Sequence, residues 1–200
     1  REASGEFEDR WPRVPFVTPY EQAHGIAWPI HVYAMFEQVR RHARGMSTDA
    51  CRADIARLFA HFTETAAQHP YAQFPSAHDQ AFLSTVSPQN YLLCEPYTKW
   101  MVAQDSVNQA ASVLMTSVGA ARELGIPESR WVYLTGYADV DDQTVLKRPN
   151  LAASNAQNLA VRTALASAGV GIEAVKYLDF YSCFPIAVSS IAELKVKAGV

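Results

Sequence analysis

The sequence predicts an α/β fold that follows a mainly helical region, and two observations lead to this prediction. About the first hundred of the 200 residues combine helical patterns with proline-rich loops, whereas the remainder alternates strand-like runs with helix-like runs. The composition, 49% hydrophobic and 18% charged, is typical of a soluble globular protein with a buried core. We therefore expect a layered α/β core in the second half of the chain.

The first region, residues 1–103, is predicted to be irregular in part and otherwise helical. Prolines among aromatic residues predict an extended loop over the first thirty residues. Apolar residues at three- and four-residue steps predict a helix from Ile30 to Ala43, and Ser47 is the expected N-cap of a second helix ending near His69. Residues 70–103 are again predicted to form loops.

The second region alternates between the two patterns. Apolar or β-rich runs predict three strands: 110–117, 131–135 and 177–180. Helical runs follow the strands: 118–124, the run from Ser154 to Gly169, and the run that begins at Pro185 and continues toward Lys197. A polar loop, 139–149, lies between the second strand and its helix.

Charge and cysteine content exclude several classes of function. The net charge of −3 gives no basic surface for nucleic acid, and no apolar run is long enough to span a membrane. Three widely spaced cysteines predict neither a disulfide framework nor a zinc site, which favours a cytoplasmic location. The acidic run 139–142 is interpreted as a solvated turn, and we expect no metal site.

The turn Tyr181-Ser182-Cys183-Phe184 is the strongest candidate for chemistry. It lies between a predicted strand and the start of a helix, where α/β proteins collect functional groups. A helix N-terminus favours negative charge, so it can lower the pKa of a thiol or stabilise an oxyanion. The alternative is a structural turn with a buried cysteine, and the residues alone leave both interpretations open.

Several segments, in order, resemble the thiolase superfamily. Val175–Pro185 is similar to the start of the C-terminal half of thiolases, where Asn-Glu-Ala-Phe, or His-Asp-Cys-Phe in the sterol-carrier-protein branch, follows a strand. Ala164–Gly169 and Ala120–Gly125 resemble two helices of that family, and Val107–Met115 resembles the last strand of its N-terminal half. Pro96–Lys99, with the helices before it, resembles the inserted loop domain.

The resemblance covers about residues 15 to 200 and is strongest to bacterial proteins called acetyl-CoA acetyltransferases or thiolase-like proteins. It implies part of a layered α-β-α-β-α fold with a mainly helical loop-domain insertion. Residues 1–103 would be the loop domain, 104–127 the end of the N-terminal half, and 128–200 the start of a truncated C-terminal half. The family's nucleophilic cysteine, its Gly-His-Pro histidine and its second reactive cysteine have no match here, so we expect a segment of a longer or split enzyme.

The resemblance also assigns roles to individual residues. Tyr181 falls where the family has the Asn or His that helps to build the oxyanion hole, and Ser182 and Cys183 complete that motif. Thiolase-like retro-aldolases of steroid side-chain degradation have Tyr-Asp-Cys-Phe at this place. Lys99, in the loop domain, is a candidate contact for the phosphates of coenzyme A, although an ordinary surface lysine is the alternative.

The implied function is acyl transfer on acyl-CoA thioesters, by Claisen condensation or thiolysis. Two alternatives remain: a retro-aldolase with Tyr181 as acid or base and an OB-fold partner subunit, and a non-catalytic subunit that binds acyl-CoA. Coenzyme A enters as the thioester substrate, and no tightly bound cofactor is expected. The resemblance further implies a homo-oligomer.

Overall fold

The computed structural model describes residues 17–104, 106–108, 110–181 and 183–197. Seven α-helices lie in these ranges: α1 Pro19–Ala23, α2 Pro29–Ala43, α3 Thr48–Gln68, α4 Gln80–Ser84, α5 Val118–Glu123, α6 Asn155–Ala168 and α7 Pro185–Lys197. Two short strands, β1 Leu92–Cys94 and β2 Tyr97–Thr98, form an antiparallel pair. Single turns of 3-10 helix occupy Lys99–Met101, Glu128–Arg130, Val145–Lys147 and Ile172–Ala174.

Helices α2 and α3 begin and end where local chemistry predicts. Pro29 occupies the first turn of α2, and the Ser47 hydroxyl accepts a hydrogen bond from the backbone N–H of Ala50 at 3.1 Å, which caps α3. The buried face of α3 is the centre of a hydrophobic core that also includes α4 and the β1–β2 hairpin. Both predicted helices are therefore confirmed. Among the described residues, no helix is both long and apolar enough to span a membrane.

The β1–β2 hairpin is held by the buried side chain of Asn90, in a region predicted only as loop. Its amide nitrogen donates to three carbonyls that end α4, those of Phe82, Leu83 and Thr85, at 2.9 to 3.1 Å. Its amide oxygen accepts from the backbone N–H of Trp100 at 3.2 Å. One side chain thus satisfies buried backbone groups on both sides of the hairpin.

The predicted helices of the second region are also confirmed. The Ser154 hydroxyl caps α6 by accepting from Gln157 N at 3.0 Å, and Gly169 ends α6 in the left-handed conformation with φ of 69°. Pro185 begins α7. Helix α7 packs against α2 and α6, so it connects the two regions of the chain.

The three predicted strands are not formed. Residues 110–117, 131–135 and 177–180 carry no strand, and the described parts of the chain contain a single two-stranded sheet. Apolar runs predict a segment suited to a sheet interior, but a strand also needs a neighbouring strand to receive its backbone hydrogen bonds. The segment after 131–135 instead lies against α6, where a Cβ on Gly136 would overlap the carbonyl of Ala164.

The predicted N-terminal loop can be compared with the structure only in part. Residues 1–16 lie outside the described ranges, and residues 17–30 contain α1, which the proline pattern did not predict. Thr18 and Glu21 form a capping box at its start. The other carboxylate oxygen of Glu21 accepts from Leu146 N at 3.1 Å, which ties α1 to the loop before α6. The domain boundaries near residues 103 and 127 stay predictions.

Candidate functional site

A groove of about 500 Å³ lies between α3, the segment after β2, and the Tyr181–Cys183 turn. Its first wall consists largely of apolar and aromatic side chains: Phe59, Phe62, Thr63, Ala66, Phe74, Trp100, Val102, Ala103 and Gln104. Its second wall comes from the turn and the residues before it: Asp179, Phe180, Tyr181 and Cys183. The fold therefore brings the turn singled out from sequence against the helical region.

Backbone and ring contacts fix this turn against the first wall. The Cys183 carbonyl accepts a hydrogen bond from Ala103 N at 3.0 Å. The Phe184 ring stacks on Tyr33 of α2, with centroids 4.3 Å apart and planes 7° from parallel, and lies 6.0 Å from the Tyr97 ring. Phe184 thus faces the core, which leaves Tyr181 and Cys183 on the groove side.

Tyr181 is an accessible polar group of the groove, with 81% of the residue exposed. Its hydrogen bond with the Cys183 side chain, and the charge that this thiol would carry when ionised, raise the pKa of Tyr181. A phenol keeps its proton at neutral pH, so Tyr181 can donate its one hydrogen bond to a ligand in place of the contact with Cys183. Cys183 is half-buried beside it. Ser182, the third predicted residue, lies outside the described residues.

Lys99 lies beside the groove but does not line it. Its ammonium is 4.9 Å from the ring centroid of Trp100 and 5.8 Å from that of Tyr91, a geometry suited to cation–π attraction. Trp100 lines the groove, and its indole nitrogen donates to the Gln89 carbonyl at 3.1 Å. The charge thus stands at the rim next to an aromatic wall.

The remaining cysteines have environments unlike that of a reactive thiol. Cys51 is buried in the α3 core, and burial raises its pKa to about 11. Burial also raises the pKa of Cys94 on β1. Since the thiolate is the nucleophile, neither thiol is activated at neutral pH. Among the described residues, no group of three or more His, Cys, Asp or Glu side chains could hold a metal ion.

The groove wall includes residues that sequence reasoning did not assign to a site. Phe59 and Phe62 carry the apolar pattern of α3; Phe59 is buried in the core as expected and also lines the groove, whereas Phe62 lines the groove and is 41% exposed. The sequence feature that could have indicated this wall is the run of polar and aromatic residues that ends at Trp100. Phe74 packs edge-on against Trp100, with centroids 5.6 Å apart, which extends the aromatic wall.

A second cavity, of about 280 Å³, lies between α2, α6, α7 and the loop before α6. Its charged groups satisfy one another: Arg148 pairs with Asp142 at 3.2 Å, and the Ser154 hydroxyl donates to Asp142 at 2.7 Å. The Arg148 guanidinium also stacks over the Phe36 ring at 4.4 Å. Because these groups are already paired, we assign the candidate site to the groove.

Comparison with known proteins agrees with the resemblance seen in the sequence. No protein-family model matches the chain, and no curated protein matches it. The structure matches the crystal structure of a monomeric SCP2-thiolase-like protein, type 1, from Mycobacterium smegmatis, with a TM-score of 0.82 and 40% sequence identity. The match covers 89% of this chain and 39% of the mycobacterial protein. This similarity of sequence and fold places the chain in the thiolase superfamily, among the SCP2-thiolase-like proteins.

Proposed function

We propose that the groove is part of an acyl-CoA site and that the protein catalyses acyl transfer of the thiolase type, by Claisen condensation or thiolysis. The observation that supports this is the junction of two unlike walls. The aromatic wall along α3 suits the acyl chain and other apolar parts of a thioester. The Tyr181–Cys183 turn supplies polar groups where the thioester carbonyl would lie.

In this proposal Tyr181 donates a hydrogen bond to the oxyanion that forms when the thioester carbonyl is attacked or when its α-carbon loses a proton. A phenol is protonated at neutral pH, so it can donate a hydrogen bond to this oxyanion. Lys99 at the rim would attract the phosphates of coenzyme A. Cys51 and Cys94 take no part, since burial keeps both protonated.

A retro-aldolase is a second candidate, and the identity of Tyr181 favours it. In this candidate the exposed Tyr181 acts in its phenolate form, which becomes populated as pH rises toward its raised pKa; it accepts the hydroxyl proton of a β-hydroxyacyl-CoA and later returns it to the enolate product. Loss of that proton accompanies cleavage of the carbon–carbon bond, which releases a carbonyl compound and the enolate of the shortened thioester. An OB-fold partner subunit belongs to this alternative. A third candidate is a subunit that binds acyl-CoA without chemistry.

Replacement of Tyr181 by phenylalanine in the full-length protein tests the chemical role of the phenol that both catalytic candidates share, and the reaction that the wild type catalyses separates those two candidates. We expect Tyr181→Phe to lower kcat for thiolysis or aldol cleavage by about 100-fold, the usual effect of removing one oxyanion donor or one proton-transfer group. Tyr177→Phe is the matched control, because Tyr177 is 89% exposed on the same segment and does not line the groove. Full thiolysis and cleavage rates in Tyr181→Phe would exclude a chemical role for the phenol.

Calorimetry with acetyl-CoA and a longer acyl-CoA tests binding separately from turnover. Heat of binding without turnover in the wild-type protein would support the subunit that only binds acyl-CoA. No detectable binding of either thioester would contradict all three candidates. The cytoplasmic location and homo-oligomeric state stay predictions.

A further inference from the structure

A buried polar network connects the hairpin, α2 and α7 behind the groove. Its central residues are Tyr97, Glu37 and Arg40, and all three are buried. The Tyr97 hydroxyl donates to one Glu37 carboxylate oxygen at 3.0 Å, and Arg40 donates to the other at 3.2 Å. Burying charged and hydroxyl groups in a protein interior costs free energy, so packing alone does not explain why this network is present.

The network contacts α7 near both of its ends. At the start of α7, the Phe184 ring lies 6.0 Å from the Tyr97 ring, and the backbone N–H of Ile186 lies near enough to the Tyr97 hydroxyl to oppose the rise in the pKa of Tyr97. Arg40 donates from two nitrogens to one carboxylate oxygen of Glu193, at 2.6 and 3.2 Å. Ile186 and Glu193 are two turns apart, about 10 Å along the helix. A helix held at two such points can neither slide nor tilt freely.

The start of α7 continues directly from the groove turn. Phe184 is clamped between the rings of Tyr33 and Tyr97, and Cys183 precedes it. A shift of α7 would therefore move Cys183 and Tyr181 relative to the aromatic wall. Buried ion pairs can often be replaced by apolar residues without loss of stability. A role in fixing the position of α7 therefore explains this network better than a role in stability.

We propose that Tyr97, Glu37 and Arg40 are positioning residues that fix the Tyr181–Cys183 turn through α7. None of the three lines the groove, so they act only through α7. The relevance to catalysis rests on the proposed acyl-CoA function, whereas the positional effect on Cys183 does not depend on it.

Tyr97→Phe in the full-length protein is the most direct test, because it removes one hydroxyl and keeps the ring that packs on Phe184. The readout is the alkylation rate of each cysteine, followed by mass spectrometry under native conditions. We expect Cys183 to react about fivefold faster, since a loosened α7 exposes it, and acyl-CoA affinity to fall about tenfold, because small displacements in a site are costly. Cys51, buried in the α3 core, should keep its wild-type rate.

Cys51 is the internal control that separates positioning from general destabilisation. Equal acceleration at Cys51 and Cys183 would show that the network only stabilises the core, and would overturn the proposal. Unchanged Cys183 reactivity with unchanged acyl-CoA affinity would also overturn it. Tyr177→Phe is again the matched tyrosine variant and should change neither rate.

A second variant decides the outcome if Tyr97→Phe does not fold. Glu193→Gln weakens the outer contact of Arg40 and alters a side chain that is 43% exposed, so folding should persist. We expect it to accelerate Cys183 alkylation about twofold, a change smaller than that of Tyr97→Phe because Tyr97 still packs against Phe184 at the start of α7. A Cys183 rate equal to wild type in this variant would then count against the proposal. If the wild-type protein binds no acyl-CoA, the proposed function fails but the labelling comparison still decides the positional effect.

Discussion

The Glu37 side chain has no access to solvent, and its burial leads to a prediction about how the stability of the protein depends on pH. Burial raises the pKa of Glu37, and the nearby Arg40 and Tyr97 offset this only in part. Glu37 therefore binds its proton more tightly in the folded protein than in the unfolded chain, where the pKa of a glutamate is about 4.3. The stability that this tighter proton binding contributes is fully present below a pH of about 4.3, and it is lost as pH rises through the higher pKa of Glu37 in the folded protein.

The variant Glu37→Gln removes this titration while keeping the shape of the side chain. We expect the free energy of unfolding of wild type, relative to the variant, to fall as pH rises above about 4, by about 1.4 kcal/mol for each tenfold difference in proton affinity. Urea unfolding at a series of pH values measures this. Glu123→Gln, on the surface of α5, is the control. If the free energy of unfolding of the wild type, relative to the variant, rises with pH instead, the ion pair with Arg40 outweighs the cost of burying the Glu37 carboxylate.

At this scale, part of the candidate site could be proposed from the sequence. Tyr181 and Cys183 could be found because a strand-like run, a turn and a proline-initiated helix lie consecutively in the sequence. Phe62 and Trp100 could not be paired with them, since no local pattern specifies which helix face meets a turn more than eighty residues away. Arg40 and Glu193 are separated by 153 residues and carry no motif that links them.

At the scale of elements, Gly169 shows why helix ends were predicted well. It ends α6 with a positive φ of 69°, and a Cβ there would meet no atom within 4 Å. Gly169→Ala should therefore destabilise the protein by about 1 kcal/mol through backbone conformation alone. Gly119→Ala is the matched control, because Gly119 lies inside α5 and an added Cβ finds ordinary contact at 3.8 Å. It should stabilise by roughly 0.5 kcal/mol. Thermal unfolding of both variants measures the contrast, and equal effects would contradict it.

Helices and strands differed in predictability for a physical reason. Each helix satisfies its backbone hydrogen bonds within its own segment, so Ser47, Ser154 and Pro185 sufficed to locate helix starts. A strand receives its hydrogen bonds from another segment, so residues 110–117 gave an apolar run without information on its partner. The hairpin β1–β2 was missed because its strands have only three and two residues.

At the scale of the whole molecule, the extended segments leave many apolar side chains in solvent. Val113 is 86% exposed and Val132 is 96% exposed, and their neighbours Leu114, Met115, Tyr133 and Leu134 are exposed as well. In the layered core that the sequence resemblance implies, these segments would be strands covered on both faces. Apolar β-rich segments that are extended and uncovered favour association with other chains.

We therefore expect the 200-residue chain, prepared by itself, to self-associate. Val132→Lys should raise the monomer fraction measured by analytical ultracentrifugation, because a charge on an exposed β-rich segment opposes pairing between chains. Ser129→Lys adds the same charge on the exposed 3-10 turn just before it and corrects for the change in net charge. If the two variants behave alike, net charge rather than the apolar segment controls association. A wild-type chain that is monodisperse, monomeric and cooperative in unfolding would show instead that the exposed segments are compatible with an independent fold.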